Sequence, residues 1–361
     1  MKEMLAAVLE APGQLRVRAV PAATAEPGEV LCEVAACGVC GSDLRYLAGE
    51  NPWAKHTLGY EMPNPPDMIL GHEVSGVVRL DGDEVRAGLL AFRTCGECRE
   101  CRRGESQLCR RTEHLGHGAG WEGREFNPGG MAECMPVWRE NVYELPESIS
   151  FDQATFLDGL GVAIHAVRRA SVGEGDRVAA LGAGPIGLLI AQAARVWGAE
   201  CVAATDVYDA ALDCALELGL HASIDGRDEE ASDVMTELAN VCGGGGLDVI
   251  FDSTGALEVQ EAAVDALAPG GMMMLMAGAA EGLRLGPASL AGERMVTTSS
   301  NNLPEDFARG LELLASGQIV VDPMITHRFP LADAVEAFEI AQNKQETGAI
   351  KVIIHPRGQC E

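Results

Sequence analysis

At 361 residues the chain exceeds the size at which one hydrophobic core keeps growing, so two domains are expected, each burying its own core. Lys+Arg 27 against Asp+Glu 54 gives a formal net charge of −27, which repels phosphate backbones and anionic headgroups and argues against nucleic acid and membrane surfaces as partners. The N-terminus has no apolar run of signal-peptide length and no stretch reaches the ~20 apolar residues that span a bilayer, so a soluble cytoplasmic protein is expected, its twelve cysteines standing as thiols and metal ligands.

From the N-terminus to about residue 150, short apolar runs at 6–9, 30–34 and 74–78 alternate with Gly and Pro, the pattern of short antiparallel strands with long loops. Within this stretch Cys40 lies in Cys37-Gly-Val-Cys40-Gly-Ser-Asp43 and His72 in Gly71-His72-Glu73. A catalytic zinc needs three protein ligands and one open position, and Cys40 with His72 supplies two. The third must come from elsewhere. Asp158, at the junction before the next domain, is the candidate by position, with a helix cap as its alternative role. Residues 46–68, rich in Pro and carrying Trp53, His56 and Tyr60, are read either as a cover for a site or as an ordered surface loop. Cys95, Cys98, Cys101 and Cys109 follow at C-x2-C-x2-C-x7-C, a spacing that closes one short lobe tetrahedrally around a structural zinc. Residues 114–121 hold His114 and His117 among glycines, to which no role is assigned.

From residue 177 the rhythm changes to strand then helix. A strand at 178–181 runs into Gly182-Ala-Gly184-Pro185-Ile186-Gly187 and a helix at 186–197, the context that makes G-x-G-x-x-G a dinucleotide turn. Gly182 permits the tight turn, Gly184 lets backbone N–H groups approach the pyrophosphate, and Gly187 lets helix pack on strand, with the charge at the helix N-terminus. A strand at 201–205 ends at Asp206, where a carboxylate accepts hydrogen bonds from the adenosine ribose and repels a 2′-phosphate. No Arg follows directly, so NAD is expected over NADP. A helix to 218, strands at 247–252, 272–276 and 295–299, and a helix at 257–267 continue the alternation, which argues a parallel doubly wound sheet and an α/β fold. Gly243 to Gly246 form a flexible connection inside this domain. Helices at 305–314 and 332–342 and an exit strand at 350–354 are read as the chain returning to complete the first domain.

These motifs together resemble the zinc-containing medium-chain dehydrogenases, the alcohol, polyol and threonine dehydrogenase group, over nearly the whole chain. The matching pieces are Gly-Val-Cys40-Gly-Ser-Asp, Gly71-His-Glu-Val-Ser-Gly76, the four-cysteine lobe, Gly130-Met-Ala-Glu133, the glycine turn, Ser253-Thr-Gly255 and Ile350-Lys-Val-Ile-Ile354. The resemblance implies a GroES-like, mostly β catalytic domain over 1–158 with its structural zinc lobe at 95–109, a Rossmann NAD-binding domain over 159–300, and a C-terminal return over 301–361. It implies two zinc ions per chain. Cys40, rather than Cys37, and His72 would hold the catalytic ion with Asp158, while Glu73 would visit it during turnover. Asp43 would orient the histidine, and Ser42, otherwise an ordinary turn serine, would shuttle the substrate proton. The implied reaction is reversible hydride transfer between NAD and a secondary alcohol or polyol, in a homodimer or homotetramer.

Two positions depart from the family pattern. Arg45 stands where many relatives carry the histidine that ends the proton relay, and Ala211 where a basic residue often grips the adenosine. Two rival functions share these motifs in part: a zinc-free quinone or enoyl reductase, against which Cys40 and His72 argue, and a catalytically silent NAD-binding structural or regulatory protein. Zinc content discriminates among the three.

Overall fold

The computed structural model describes residues 2–119, 127–277 and 282–357. The chain forms two compact units, one comprising Met1–Asp158, Leu303–Ala315 and Ile325–Glu361, the other Gly159–Asn302 and Ser316–Met324.

The first unit is built on a mostly antiparallel sheet. Its strands run in the order Val142–Glu144, Asp83–Leu89, Glu73–Leu80, Glu29–Gly38, Lys351–His355 and Ile325–Pro330, with Cys134–Trp138 also paired to Glu29–Gly38. The strand Glu29–Gly38 is central because its second half, from Cys32 to Gly38, is apolar and buried on both faces except for Glu33. At its end Gly38 pairs with Glu73 on one side and with Ile353 on the other, so a strand from the C-terminus lies one strand away from the segment that follows Gly71. Val34, Cys37, Tyr46, Leu70, Val74, Met131, Trp138, Phe338 and Ile354 fill one core under this sheet. Each such large apolar side chain contributes roughly 1.5–3 kcal/mol by leaving water.

The second unit is a six-stranded parallel sheet: β1 (Arg177–Leu181), β2 (Cys201–Asp206), β3 (Ala222–Asp225), β4 (Leu247–Asp252), β5 (Leu267–Leu275) and β6 (Met295–Thr298). The spatial order is β3-β2-β1-β4-β5-β6, the doubly wound arrangement with β1 and β4 side by side where the winding reverses. Val178 to Leu181 are fully buried, as a central parallel strand requires. Strand β3 and the helix Ala231–Val241 were not legible in the sequence. The strand is four residues long, with Ile224 its one fully buried side chain, and the helix buries only Val234, Met235 and Leu238. Strand β5 also starts earlier than the apolar run suggests, at Leu267 directly after the helix Leu257–Ala266.

One expectation about cysteine is corrected. Cys201, at the start of β2, and Cys242, at the C-cap of Ala231–Val241, form a disulfide, because the fold brings their Cα atoms to 5.5 Å across 41 residues. Ser316–Met324 stay with the second unit, where the Gln192 amide donates to Val320 O and accepts from Val320 N, both at 2.9 Å.

The surplus of carboxylates sets up self-repulsion in the compact state, which salt screens within a Debye length of about 3 Å at ~1 M. The thermal midpoint is therefore expected to rise by several degrees between dilute buffer and ~1 M NaCl, followed by circular dichroism. A midpoint that falls or stays level would show that the charges are already compensated.

Candidate functional site

The helix Gly41–Leu47 begins at Cys40, whose extended backbone forms the N-cap. Asp43 closes a capping box by accepting the Cys40 N–H at 2.9 Å, which fixes where the Cys40 side chain leaves the backbone. The other carboxylate oxygen of Asp43 accepts the Gly71 N–H at 3.3 Å and lies 3.8 Å from His72 Nδ1. Asp43 is fully buried, and burial pushes its carboxyl up to about 6 against the pull of His72. With Nδ1 turned toward Asp43, His72 presents Nε2 on the side of Ser42, whose Oγ is 3.4 Å away.

Cys40, His72 and Glu73 bring one donor atom each to within 4.8 Å of one another. Donors on one tetrahedral zinc at bonds of about 2.0–2.3 Å stand about 3.3–3.8 Å apart, so sulfur, nitrogen and oxygen here, within 4.8 Å of one another, would hold a single ion by drawing together. Burial, then the carboxylates of Glu73 and Asp43, push the Cys40 thiol up to about 12, a setting in which a cation supplies the opposing charge that a thiolate needs. Asp158, the third ligand expected from position, is not in this group. It sits in the first turn of the helix Leu157–Arg169, where the helix dipole favours a carboxylate, and Glu73 joins the group because it directly follows His72.

Glu73 has a second partner that sequence reasoning missed. The Lys351 ammonium, 1% exposed, pairs with Glu73 and lies 5.3 Å from the Phe156 ring centroid. Burial opposes its charge, and Glu73, Cys40 and Asp43 outweigh burial to raise its pKa. Gly38 makes room for this pair: a Cβ there would stand 2.4 Å from Glu73 Oε2 and 2.6 Å from Lys351 Cε. Arg45 faces elsewhere, its guanidinium held by Glu50 at 2.7 and 3.0 Å and lying 3.0 Å from His56 Nε2.

The four-cysteine lobe is compact. Sγ separations are 3.9 Å for Cys95–Cys101, 3.3 Å for Cys98–Cys101 and 3.5 Å for Cys109–Cys95. A tetrahedron with 2.3 Å zinc–sulfur bonds has edges of about 3.8 Å, so this donor set fits a closed structural site. Backbone N–H groups of Cys98 and Cys101 point at the sulfurs of Cys95 and Cys98 at 3.4 Å, and the thiol of Cys95 is lowered to about 6, first by a backbone hydrogen bond from Glu97.

In the second unit, Gly182 adopts φ +89°, and a Cβ at Gly187 would stand 1.8 Å from Gly182 O, so the turn and the close packing of helix on strand both require glycine. Gly184 caps the helix Pro185–Val196 with Pro185 in its first turn and Ile186 next, and space opens beside its Cα. Ser253 braces the turn by donating to Leu181 O at 2.9 Å. Asp206 accepts from Ala183 N at 2.7 Å, Val207 N at 2.7 Å and Tyr208 N at 3.1 Å. Register pairs Asp206 with Asp225, and Arg227, two residues on, is held by Asp225 and Asp209. That cation escaped the sequence reading because β3 did.

The segment 46–68 is pinned rather than loose. Asn51 is buried, its side chain accepting from Ala54 N at 3.0 Å and donating to Pro63 O at 3.3 Å, while Asn64 donates to Tyr46 O at 3.1 Å. Gly116, at φ +65°, packs so closely on Gly71 that a Cβ would stand 2.1 Å from Gly71 O, and this contact carries His114 and His117 up to His72. The His117 ring lies 4.2 Å from the His72 ring and stacks on His114 at 4.1 Å. Burial holds both added histidines well below the usual imidazole range, so they are neutral. The only trace of this in the sequence is a glycine before each of His72 and His117; Gly120 and Trp121 lie outside the described residues.

Models of the alcohol dehydrogenase GroES-like domain and of the zinc-binding dehydrogenase match residues 26–147 and 185–316. The chain is 30% identical to the sorbitol dehydrogenase of Bombyx mori over 365 residues, covering 98% of this chain and 99% of that one. Among solved structures, an NADP-bound zinc-binding dehydrogenase of Sinorhizobium meliloti superposes with a TM-score of 0.85 at 29% identity, covering 99% of this chain and 100% of the other. The 2R,3R-butanediol dehydrogenase of Bacillus subtilis gives 0.82 at 26% identity, covering 98% and 100%. No described helix is long and apolar enough to cross a membrane.

Proposed function

We propose the activity from one premise: the chain belongs to the zinc-containing medium-chain dehydrogenases, the alcohol and polyol dehydrogenase group. It is an oxidoreductase that acts on the CH–OH group of a secondary alcohol or polyol, a small-molecule substrate, with a nicotinamide dinucleotide as hydride acceptor. The observation that carries the reading is the convergence of Cys40, His72 and Glu73 donors within 4.8 Å.

Cys40 and His72 hold the ion in this reading, with Glu73 as the exchangeable oxygen donor. Bound zinc supplies Lewis acidity that lowers the pKa of the substrate hydroxyl. Asp43 keeps His72 turned so that Nε2 is available, and the Ser42 hydroxyl, beside that nitrogen, relays the substrate proton, accepting it at Oγ while its own proton passes on toward solvent. Lys351 shares the Glu73 carboxylate and so sets how readily it approaches or leaves. Gly182, Gly184, Pro185, Ile186 and Gly187 cradle the pyrophosphate, and Cys95, Cys98, Cys101 and Cys109 hold a second, structural zinc. A cytoplasmic homodimer or homotetramer belongs to the same proposal.

NAD is the proposed cofactor. The Asp206 carboxylate repels a 2′-phosphate, and Arg227, the cation at that end of the sheet, is already engaged by Asp225 and Asp209. Asp206→Asn keeps an acceptor for Ala183 N and removes the charge. The ratio of kcat/KM for NAD to that for NADP is expected to fall about tenfold, about 1.4 kcal/mol, and an unchanged ratio would contradict the assignment.

A panel of secondary alcohols and polyols assayed for NAD reduction, with and without a chelator, tests the whole reading. Chelator-sensitive reduction and two zinc per chain are expected. One zinc per chain with no turnover would favour the silent NAD-binding protein, and none the reductase.

A further inference from the structure

We propose that His117 is a specificity-determining residue: its Nε2–H donates to the hydroxyl on the carbon next to the reacting one, so that the site selects vicinal diols and polyols over monohydric alcohols. This rests on the oxidoreductase reading above and adds to it the feature of the substrate that is recognised.

Hydrogen bonds along one buried chain of polar atoms decide where the His117 proton sits. The Tyr46 side chain is fully buried, and its phenolic oxygen accepts the Gly118 N–H at 2.9 Å. Away from water, its single proton is donated to a neighbouring acceptor. Two acceptors compete: His117 Nδ1 at 3.0 Å and Asn51 Oδ1 at 3.5 Å. The shorter contact is a normal hydrogen bond and the longer one is at the limit, while Asn51 Oδ1 already accepts from Ala54 N at 3.0 Å. The phenol therefore donates to His117 Nδ1. An imidazole that accepts at Nδ1 carries its one proton on Nε2.

That proton is held in a fixed direction. The His117 ring is stacked on His114 with 7° between planes, lies at 72° to His72 with centroids 4.2 Å apart, and meets Tyr46 edge-on. Nε2 has no hydrogen-bond partner among the described residues, and His117 keeps 8% of its surface exposed. Water meets such a donor in the free protein, and beside an imidazole proposed to hold the metal it is placed to take an acceptor from the ligand instead. A hydroxyl oxygen one carbon from the reacting centre offers that acceptor, and a substrate lacking it leaves the donor unpaired, which is how a polar site discriminates.

The test uses His117→Phe, which keeps an aromatic ring against His114 and His72, and Tyr46→Phe, which removes only the hydroxyl that fixes the tautomer. Oxidation of butane-2,3-diol and butan-2-ol is compared in the zinc-loaded protein. The ratio of kcat/KM, diol over mono-ol, is expected to fall on the order of 10- to 100-fold in His117→Phe and by less in Tyr46→Phe. Independently of turnover, long-range 1H–15N correlation spectra of the histidine-labelled protein should show His117 with a bare Nδ1 and a protonated Nε2. An Nδ1–H tautomer, or a ratio that neither variant moves, overturns the proposal. Should His117→Phe not fold, His117→Leu, which likewise has no donor, takes its place with the same expected fall. Oxidation of neither alcohol by the unaltered protein would instead defeat the oxidoreductase reading, while the spectrum would still decide the tautomer.

Discussion

Replacing Cys40 with alanine is expected to lower kcat/KM by on the order of 10³-fold or more and to reduce zinc from two to one per chain, with dinucleotide affinity kept. The size follows from what a Lewis acid contributes to hydroxyl ionisation, several kcal/mol of charge stabilisation at about 1.4 kcal/mol per tenfold in rate. The thiol is the softest donor in the group with His72 and Glu73, and two donors from adjacent residues cannot enclose an ion alone. Alanine keeps the half of the capping box in which Asp43 accepts the Cys40 backbone N–H and gives up the half made by the sulfur. Elemental analysis and alcohol-dependent NAD reduction read the two effects separately. A variant that retains both zinc ions and near-normal turnover would remove Cys40 from the metal site.

In the zinc-free protein, changing Lys351 to methionine is expected to destabilise the fold by about 3–5 kcal/mol, because it leaves the Glu73 carboxylate buried without its counter-charge. Methionine fills much of the volume of the lysine stem, so the loss reports charge more than packing. Adding Glu73→Gln to the same chain removes the stranded charge and should recover a large part of the loss. Urea unfolding of the single and double variants measures the difference. A single variant as stable as the parent would show that Glu73 is satisfied without Lys351.

Local patterns were legible where chemistry and backbone share a few residues. The cysteine spacing from Cys95 to Cys109 is enough to gather four sulfurs, since a short lobe has few ways to fold around one ion. The turn from Gly182 to Gly187 was equally readable, because the positive φ at Gly182 and the contact behind Gly187 admit only glycine. The doubly wound order followed from strand and helix alternation, although β3 and the helix Ala231–Val241 were too sparsely apolar to be seen. The Cys201–Cys242 bridge was hidden for a related reason: it joins β2 to the end of a helix that the sequence did not announce.

What the sequence determined by itself was the set of donor types and the turns that carry them: Cys40 and His72, four clustered thiols, and a glycine cradle ended by Asp206. Those are decided within a handful of residues, where backbone geometry leaves little choice. Only the tertiary structure decided that Glu73 rather than Asp158 stands with Cys40 and His72, that Lys351 from 278 positions away answers Glu73, and that Tyr46 meets His117. Those contacts depend on the register of Glu29–Gly38 against Glu73–Leu80 and Lys351–His355 and on the approach of Gly116 to Gly71, and no local spacing encodes which distant side chains a shared sheet will bring face to face.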